Sequence, residues 1–195
     1  MPENLNSILP ITVVAAIVLF VIKEVVEFIK RILERRRKIS AYKVLLSEEL
    51  AKNSSALGFL KRICNEINDG EVLDVSYKKT SSGTDRLTVR SASGSSNLYF
   101  WKLHSSVFER LMAELAAADR DLFTPVSKAY AKISEVKHVR ESIIDFTELD
   151  MPKHLFQGLG SYGIARIDDA VSAVSEAYLK LSGKELTDVK LRSYV

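Results

Sequence analysis

The side chains that could do chemistry are few and scattered. Three histidines, His104, His138 and His154, lie too far apart in the chain for an obvious metal set. Glu135-Val-Lys-His138 puts a carboxylate and an imidazole on one helix face, and two such pairs on facing helices can hold a metal pair. Only one pair occurs, so it reads as a polar surface or interface pair. With Arg140 beside them, Glu135 and His138 mark the one place for an unrecognised enzyme site. The single cysteine, Cys64, excludes a disulfide framework and a cysteine-based zinc cluster. It falls on the inner face of a helix and reads as a small packed hydrophobe, not a nucleophile.

Gly158-Leu-Gly160-Ser-Tyr-Gly163 matches the dinucleotide glycine pattern by letters. That chemistry needs a strand directly before the glycines, so that phosphates meet a helix N-terminus. Met151–Gln157 shows no strand alternation, and the segment reads as a flexible loop between helices. There is no glycine-rich phosphate loop ending in Lys-Ser/Thr and no Gly-x-Ser-x-Gly nucleophile elbow. The signature of HEPN-type ribonucleases, an arginine followed by four to six residues and then histidine, is absent upstream of all three histidines. No catalytic residue, metal ligand or cofactor is expected.

The elements that must carry these residues are mostly helical. Tyr42, Leu46, Leu50, Asn53, Leu57, Leu60, Cys64 and Ile67 step at threes and fours. They predict a first bundle helix over about 39–69, stopped by Asn68-Asp69-Gly70. Glu71–Tyr77 and the Leu87/Val89 alternation predict a β-hairpin with a loose turn. Ser91–Asn97 (SASGSSN) reads as a mobile linker. Ser106-Val-Phe-Glu109 matches a capping box and opens a second helix. Thr124-Pro125 opens a third, to about Phe146, with Val126, Tyr130, Ile133, Val136, Ile143 and Ile144 on its apolar line. Asp150-Met151-Pro152 is placed as the start of a short helical turn. A last helix runs from about Ile164 to Leu181 and stops at Gly183, leaving a tail to Val195.

Ahead of all this lie 18 consecutive uncharged residues, Leu5–Ile22. As a helix they span ~27 Å, close to a ~30 Å hydrocarbon core. The expected membrane-spanning residues are Ile8, Ile11, Val14, Ala15, Ala16, Val18, Leu19, Phe20 and Ile22. The helix continues without Gly or Pro, with opposite charges four apart at Glu27–Arg31 and Lys30–Glu34. Lys30, Arg31, Arg35, Arg36, Arg37 and Lys38 form a basic stem at the membrane surface. No Lys or Arg precedes the span, so the positive-inside rule sets the N-terminus outside and the C-terminal domain in the cytoplasm, as a single-pass protein of the inner (plasma) membrane.

Charge supports this division. The chain carries 28 basic and 25 acidic residues; 7 and 4 of these lie in 1–38, leaving 21 of each in 39–195. A neutral body lacks the broad basic face of a general nucleic-acid-binding protein. Nucleic acid is therefore not an expected partner, whereas the lipid bilayer is.

The order of a short N-terminus, one span, a basic stem (KRILERRRK) and then KISAYKVLLSEELAKNSSALGFLKRI resembles small membrane-anchored helical proteins of bacterial anti-phage systems. The membrane-pore accessory protein of type VI CRISPR systems is one such case. This resemblance implies association through the membrane and impairment of the cell envelope on infection. The expectation is a mainly α protein: residues 1–38 as transmembrane anchor and stem, 39–183 as a cytoplasmic helical bundle with a small β-hairpin insertion and linker at about 71–98, and 184–195 as a tail. Its expected activity is non-enzymatic, as a homo-oligomer that alters membrane integrity. The alternative is a tethered adaptor or scaffold whose bundle binds a cytoplasmic protein partner. One apolar span cannot line a pore alone; Ala15 and Ala16 offer small residues for association, and Ser7 and Thr12 polar groups for a lumen.

Overall fold

The computed structural model describes residues 11–68, 72–92, 94–149 and 153–187, with the side chains of 11, 12, 153 and 154 left aside. Its elements are α1 (Ile11–Asn68), β1 (Val72–Lys79), β2 (Asp85–Ser91), β3 (Gly94–Tyr99), α2 (Ser106–Ala118), α3 (Arg120–Glu148) and α4 (Lys153–Ser182). The protein is mainly helical with one small antiparallel sheet in the order β1-β2-β3. The chain divides into two compact units, Met1–Ala41 and Tyr42–Val195, and α1 carries residues of both.

In the first unit no described side chain is buried. No helix among the described residues is long and apolar enough to cross a membrane. The uncharged run that is described, Ile11–Ile22, has twelve residues and rises only ~18 Å. Leu5–Pro10, Ile8 among them, lie outside the described residues.

The second unit has its core where the threes-and-fours pattern puts it. Leu46, Leu50, Leu57, Ile63, Cys64 and Ile67 of α1 are buried, as are Val126, Ile133, Val136 and Ile143 of α3 and Ile167 and Val174 of α4. Burying a side chain of this size is worth about 1.5–3 kcal/mol, so the stripe, not helix propensity, holds the helices together. Leu87, Val89 and Val75 alternate inward from the sheet, as a half-buried strand pair requires.

Four expectations are corrected. Ser91–Asn97 is no linker: Gly94–Tyr99 is a strand that pairs antiparallel with β2, from Ser91↔Gly94 to Arg86↔Tyr99. Its serines satisfy the hydrogen-bond ladder as well as any residue, but they supply no apolar alternation to read. Gly158–Gly163 is no loop and lies inside α4. The reason is close approach: a Cβ on Gly160 would sit 3.0 Å from the Cys64 carbonyl oxygen, and one on Gly163 2.8 Å from Cys64 Sγ. These glycines accept a helix-propensity cost of about 1 kcal/mol each to let α4 lie against α1.

The third helix starts earlier than Thr124-Pro125. Asp119 caps it by accepting from the Leu122 N–H at 3.0 Å, and Leu122 adds a buried side chain to the apolar face. Pro125 therefore sits within the helix, where its ring deprives the Asp121 carbonyl of a donor. The second helix begins at Ser106, but its N-cap is Ser105, whose hydroxyl pairs with Glu109. Asp69, Gly70, the Asp150–Pro152 start and residues 188–195 of the tail lie outside the described residues.

Candidate functional site

Two buried polar clusters fix the seam between sheet and helices. Asp85, the first residue of β2, is almost fully buried, and so is Arg140 of α3. Arg140 Nη2 donates to Asp85 Oδ2 at 2.5 Å and to the Phe100 carbonyl at 3.1 Å, while Nε donates to the Trp101 carbonyl at 3.1 Å. The Tyr77 hydroxyl donates to the other Asp85 oxygen at 2.9 Å. The guanidinium lies over the Phe100 ring, 4.4 Å from its centre. Burial on its own would push the Asp85 carboxyl up, but the Tyr77 and Arg140 donors, with Lys102 at 3.9 Å, hold it below the usual carboxylate range. Asp85 is thus a buried anion with its partners in place.

The second cluster joins α1 to the start of α2. Asn53 is fully buried and pairs both ways with the His104 backbone, donating to its carbonyl and accepting from its N–H at 2.7 Å each. One turn earlier, buried Glu49 accepts from the N–H groups of Val107 at 3.0 Å and Phe108 at 3.3 Å, and from the Tyr130 hydroxyl at 2.7 Å. Helix α2 is therefore capped by a carboxylate from another helix, which satisfies two of its orphan donors. Burial, then the Glu49 carboxylate, pushes the Tyr130 hydroxyl far above its ordinary range, so it stays a donor.

Over this seam lies a half-open groove of about 270 Å³, lined by Ser105, Phe108, Glu109, Tyr130, Ser134 and Lys137 among others. Lys137 Nζ donates to Ser105 Oγ at 2.5 Å, and Ser105 in turn pairs with Glu109. An amine serves as a base to a serine when it is desolvated in an apolar pocket. Lys137 is only half-buried beside a carboxylate, and the trio braces the α2 N-terminus to α3.

The residues singled out for an enzyme site are not brought together. Arg140 faces the sheet, His138 is exposed, and Glu135 pairs with Lys132 at 2.9 Å and Arg166 at 3.5 Å. Lys132, then Arg166, holds the Glu135 carboxyl below its ordinary range. Among the described residues no group of three or more His, Cys, Asp and Glu could hold a metal ion. Burial pushes the Cys64 thiol up to about 12, which suits a packed hydrophobe. His104 contributes its backbone alone, and the His154 side chain lies outside what is described.

On the other side of the seam the Arg140-held loop presents aromatic rings to solvent. The Arg86 guanidinium lies over the Tyr99 ring at 4.5 Å, Tyr99 stacks on Trp101 at 5.5 Å, and Trp101 meets Phe59 of α1 at 6.1 Å. Tyr99 is 44% exposed, and Phe59 and Trp101 are 36% exposed.

In the first unit, Val14, Ala15, Ala16, Val18, Leu19, Phe20 and Ile22 are all exposed on α1; the side chain of Ile11 is not described. Lys30, Arg31, Arg35, Arg36, Arg37 and Lys38 are exposed too. The expected Glu27–Arg31 pair forms at 3.7 Å, with Lys23 on the same carboxylate at 4.0 Å, whereas no ion pair joins Lys30 to Glu34.

Comparison of the chain with protein-family models, with curated proteins and with solved structures gave no match.

Sequence reasoning missed Glu49 and Asp85, and it named Arg140 but grouped it with Glu135 and His138 instead of with a buried carboxylate. A signal existed for Arg140, which fills the gap between Val136 and Ile143 on the apolar line of α3. A charge at such a position announces a buried partner. Asn53 stood openly in the apolar stripe of α1. Little local marks Asp85 or Glu49: only Tyr77, across the hairpin, is near Asp85 in sequence, while Arg140 and Tyr130 lie 55 and 81 residues away from Asp85 and Glu49.

Proposed function

We propose that this protein is a membrane-tethered helical binding module: the apolar start of α1 sits in lipid, and the Tyr42–Val195 unit works as a scaffold at the cytoplasmic face. One observation carries the reading. Ile17, Val18, Leu19, Phe20, Val21 and Ile22 are consecutive, at 100° per residue they cover the whole circumference of the helix, and each is more than half exposed. A helix that is apolar all round belongs in lipid or in the core of a larger assembly. The exposed Arg35–Lys38 cluster follows it, which suits anionic head groups and retention of that end inside. The scaffold role rests on the second unit, whose buried charges are spent on holding loops and helix ends in place.

The test is fractionation of the full chain. It should stay in the membrane pellet through an alkaline carbonate wash and enter solution only with surfactant. Replacing Val18 and Leu19 by Glu and Arg should release it, because each charge at mid-span costs about 2.5–3.5 kcal/mol. Recovery of the unaltered chain in the aqueous fraction overturns the proposal. The envelope-impairing role that the anti-phage resemblance implies adds a requirement for several copies per pore. Uptake of an impermeant dye on expression, together with an oligomeric mass in surfactant, would favour that role over a plain tether.

A further inference from the structure

We propose that the outer face of the three-stranded sheet binds single-stranded nucleic acid. This reading is independent of the membrane tether. The strand register sets out the face. One row across the sheet is Lys78, Arg86 and Tyr99; the next is Ser76, Thr88 and Asn97; the third is Asp74, Arg90 and Ser95. Their neighbours Val75, Leu87 and Val89 are buried on the opposite face, so these rows point to solvent and all of them are exposed or half-exposed.

Three features of the face match the chemistry of an unpaired strand. Unstacked bases need flat rings, and Arg86, Tyr99, Trp101 and Phe59 form a continuous ladder in which Tyr99 and Trp101, although flanked by its other members, keep exposed ring surface for a base to pack against. Phosphates need cations, and Lys78, Arg86 and Arg90 face a single carboxylate, Asp74. Base edges need donors and acceptors, which the middle row of hydroxyls and an amide supplies. Arg86 Nη2 donates to the Tyr99 hydroxyl at 3.1 Å, which fixes the guanidinium against the ring. The ladder is also held rigid: Phe100 N–H donates to the Asp85 carbonyl at 3.0 Å, and Arg140 grips the Phe100 and Trp101 carbonyls. Rings held in place before binding lose little freedom on contact.

The neutral charge of residues 39–195 does not oppose this. It rules out a broad basic body, whereas the proposed site is local and spans a few nucleotides. A membrane surface fits the face less well, because its middle row is hydroxyl and amide with no aliphatic wedge. A protein partner would meet a face without the apolar centre that interface hot spots occupy.

The test uses the full-length chain in a neutral surfactant with fluorescein-labelled 12-mers of oligo-U and oligo-dT, a 12-base-pair duplex and phosphatidylglycerol vesicles. Anisotropy should rise saturably with either single strand and much less with the duplex. Contact with three phosphates gives a slope of log affinity against log salt of about −2. Tyr99→Ala and Trp101→Ala should each weaken binding about tenfold, the scale of one lost base stack. Arg90→Gln and Lys78→Gln lie at the surface, so they test the site even if a ring variant misfolds; each should cut the slope by about 0.7. The proposal is overturned by absence of saturable binding, by equal affinity for the duplex, by folded ring variants that bind like the parent, or by binding to vesicles alone.

Discussion

Arg140 of α3 reaches Asp85 of β2 across 55 residues of chain, and the two meet at 2.5 Å with both nearly out of water. Removing one partner leaves the other as an uncompensated buried charge, at a cost of about 3–5 kcal/mol. Arg140→Met and Asp85→Ala should each lose that much in urea unfolding. The double variant should lose much less than the two together.

The same pair sets an acid limit. The folded Asp85 carboxyl lies below its unfolded value, about 3.9, so its contribution is complete above that value and is lost as pH falls through the folded one. Thermal melts between pH 7 and 2 should show stability dropping below about pH 4. Asp85→Asn should be less stable at neutral pH and should flatten that drop.

Glu49 is the acceptor for two backbone N–H groups and the Tyr130 hydroxyl. Glu49→Ala orphans these three donors, and the weaker Ser106 hydroxyl at 3.4 Å with them, and should cost about 3 kcal/mol, whereas Tyr130→Phe removes one bond and should cost about 1 kcal/mol. Their coupling in a double-mutant cycle should exceed 0.5 kcal/mol. Hydrogen exchange of the Val107 and Phe108 amides should speed up in Glu49→Ala before global unfolding does.

Two glycines five residues apart in α4, Gly158 and Gly163, should respond with opposite signs. Gly158→Ala meets nothing within 4 Å and gains helix propensity, so it should stabilise by about 0.5–1 kcal/mol. Gly163→Ala meets Cys64 Sγ at 2.8 Å and Val139 Cγ1 at 3.1 Å, and should destabilise by about 1–3 kcal/mol. Cys64→Ala placed with Gly163→Ala should recover part of the loss. Melting temperatures of the three variants against the parent decide it.

Cys64 is fully buried, and burial raises its thiol to about 12. At pH 8 only on the order of one in ten thousand such thiols is ionised. Labelling by a soluble thiol reagent should therefore follow the opening of the α1–α4 contact, and Gly163→Ala should accelerate it. Rapid labelling of the folded parent would contradict the packing.

The helices were legible because their signal is periodic: the α1 stripe from Leu46 to Ile67 and the α3 line from Val126 to Ile143 are buried as spaced. The hairpin was legible from Leu87 and Val89. What escaped lacked a local signal. Gly160 and Gly163 look like loop residues until the Cys64 backbone is known to lie against them. Asp119 outdid Thr124-Pro125 as a helix start because Leu122 had core to fill. The Glu49 and Asp85 clusters depend on partners brought near only by folding. Glu135, His138 and Arg140 sit close in sequence on α3, yet Glu135 turns to Lys132 and Arg166 while Arg140 turns to Asp85, a divergence that spacing alone does not reveal.

Strand β3 carries Ser95, Ser96 and Asn97, and it lies at one margin of the sheet. A margin rich in Val and Ile would offer a sticky template to any neighbouring chain that approached in extended form. Short hydroxyl and amide side chains make such recruitment unprofitable, because no greasy ridge is there to be covered. The wetness that disguises β3 as a spacer thus makes it a margin that gains little from recruiting a neighbour, and among the described residues the sheet stops there.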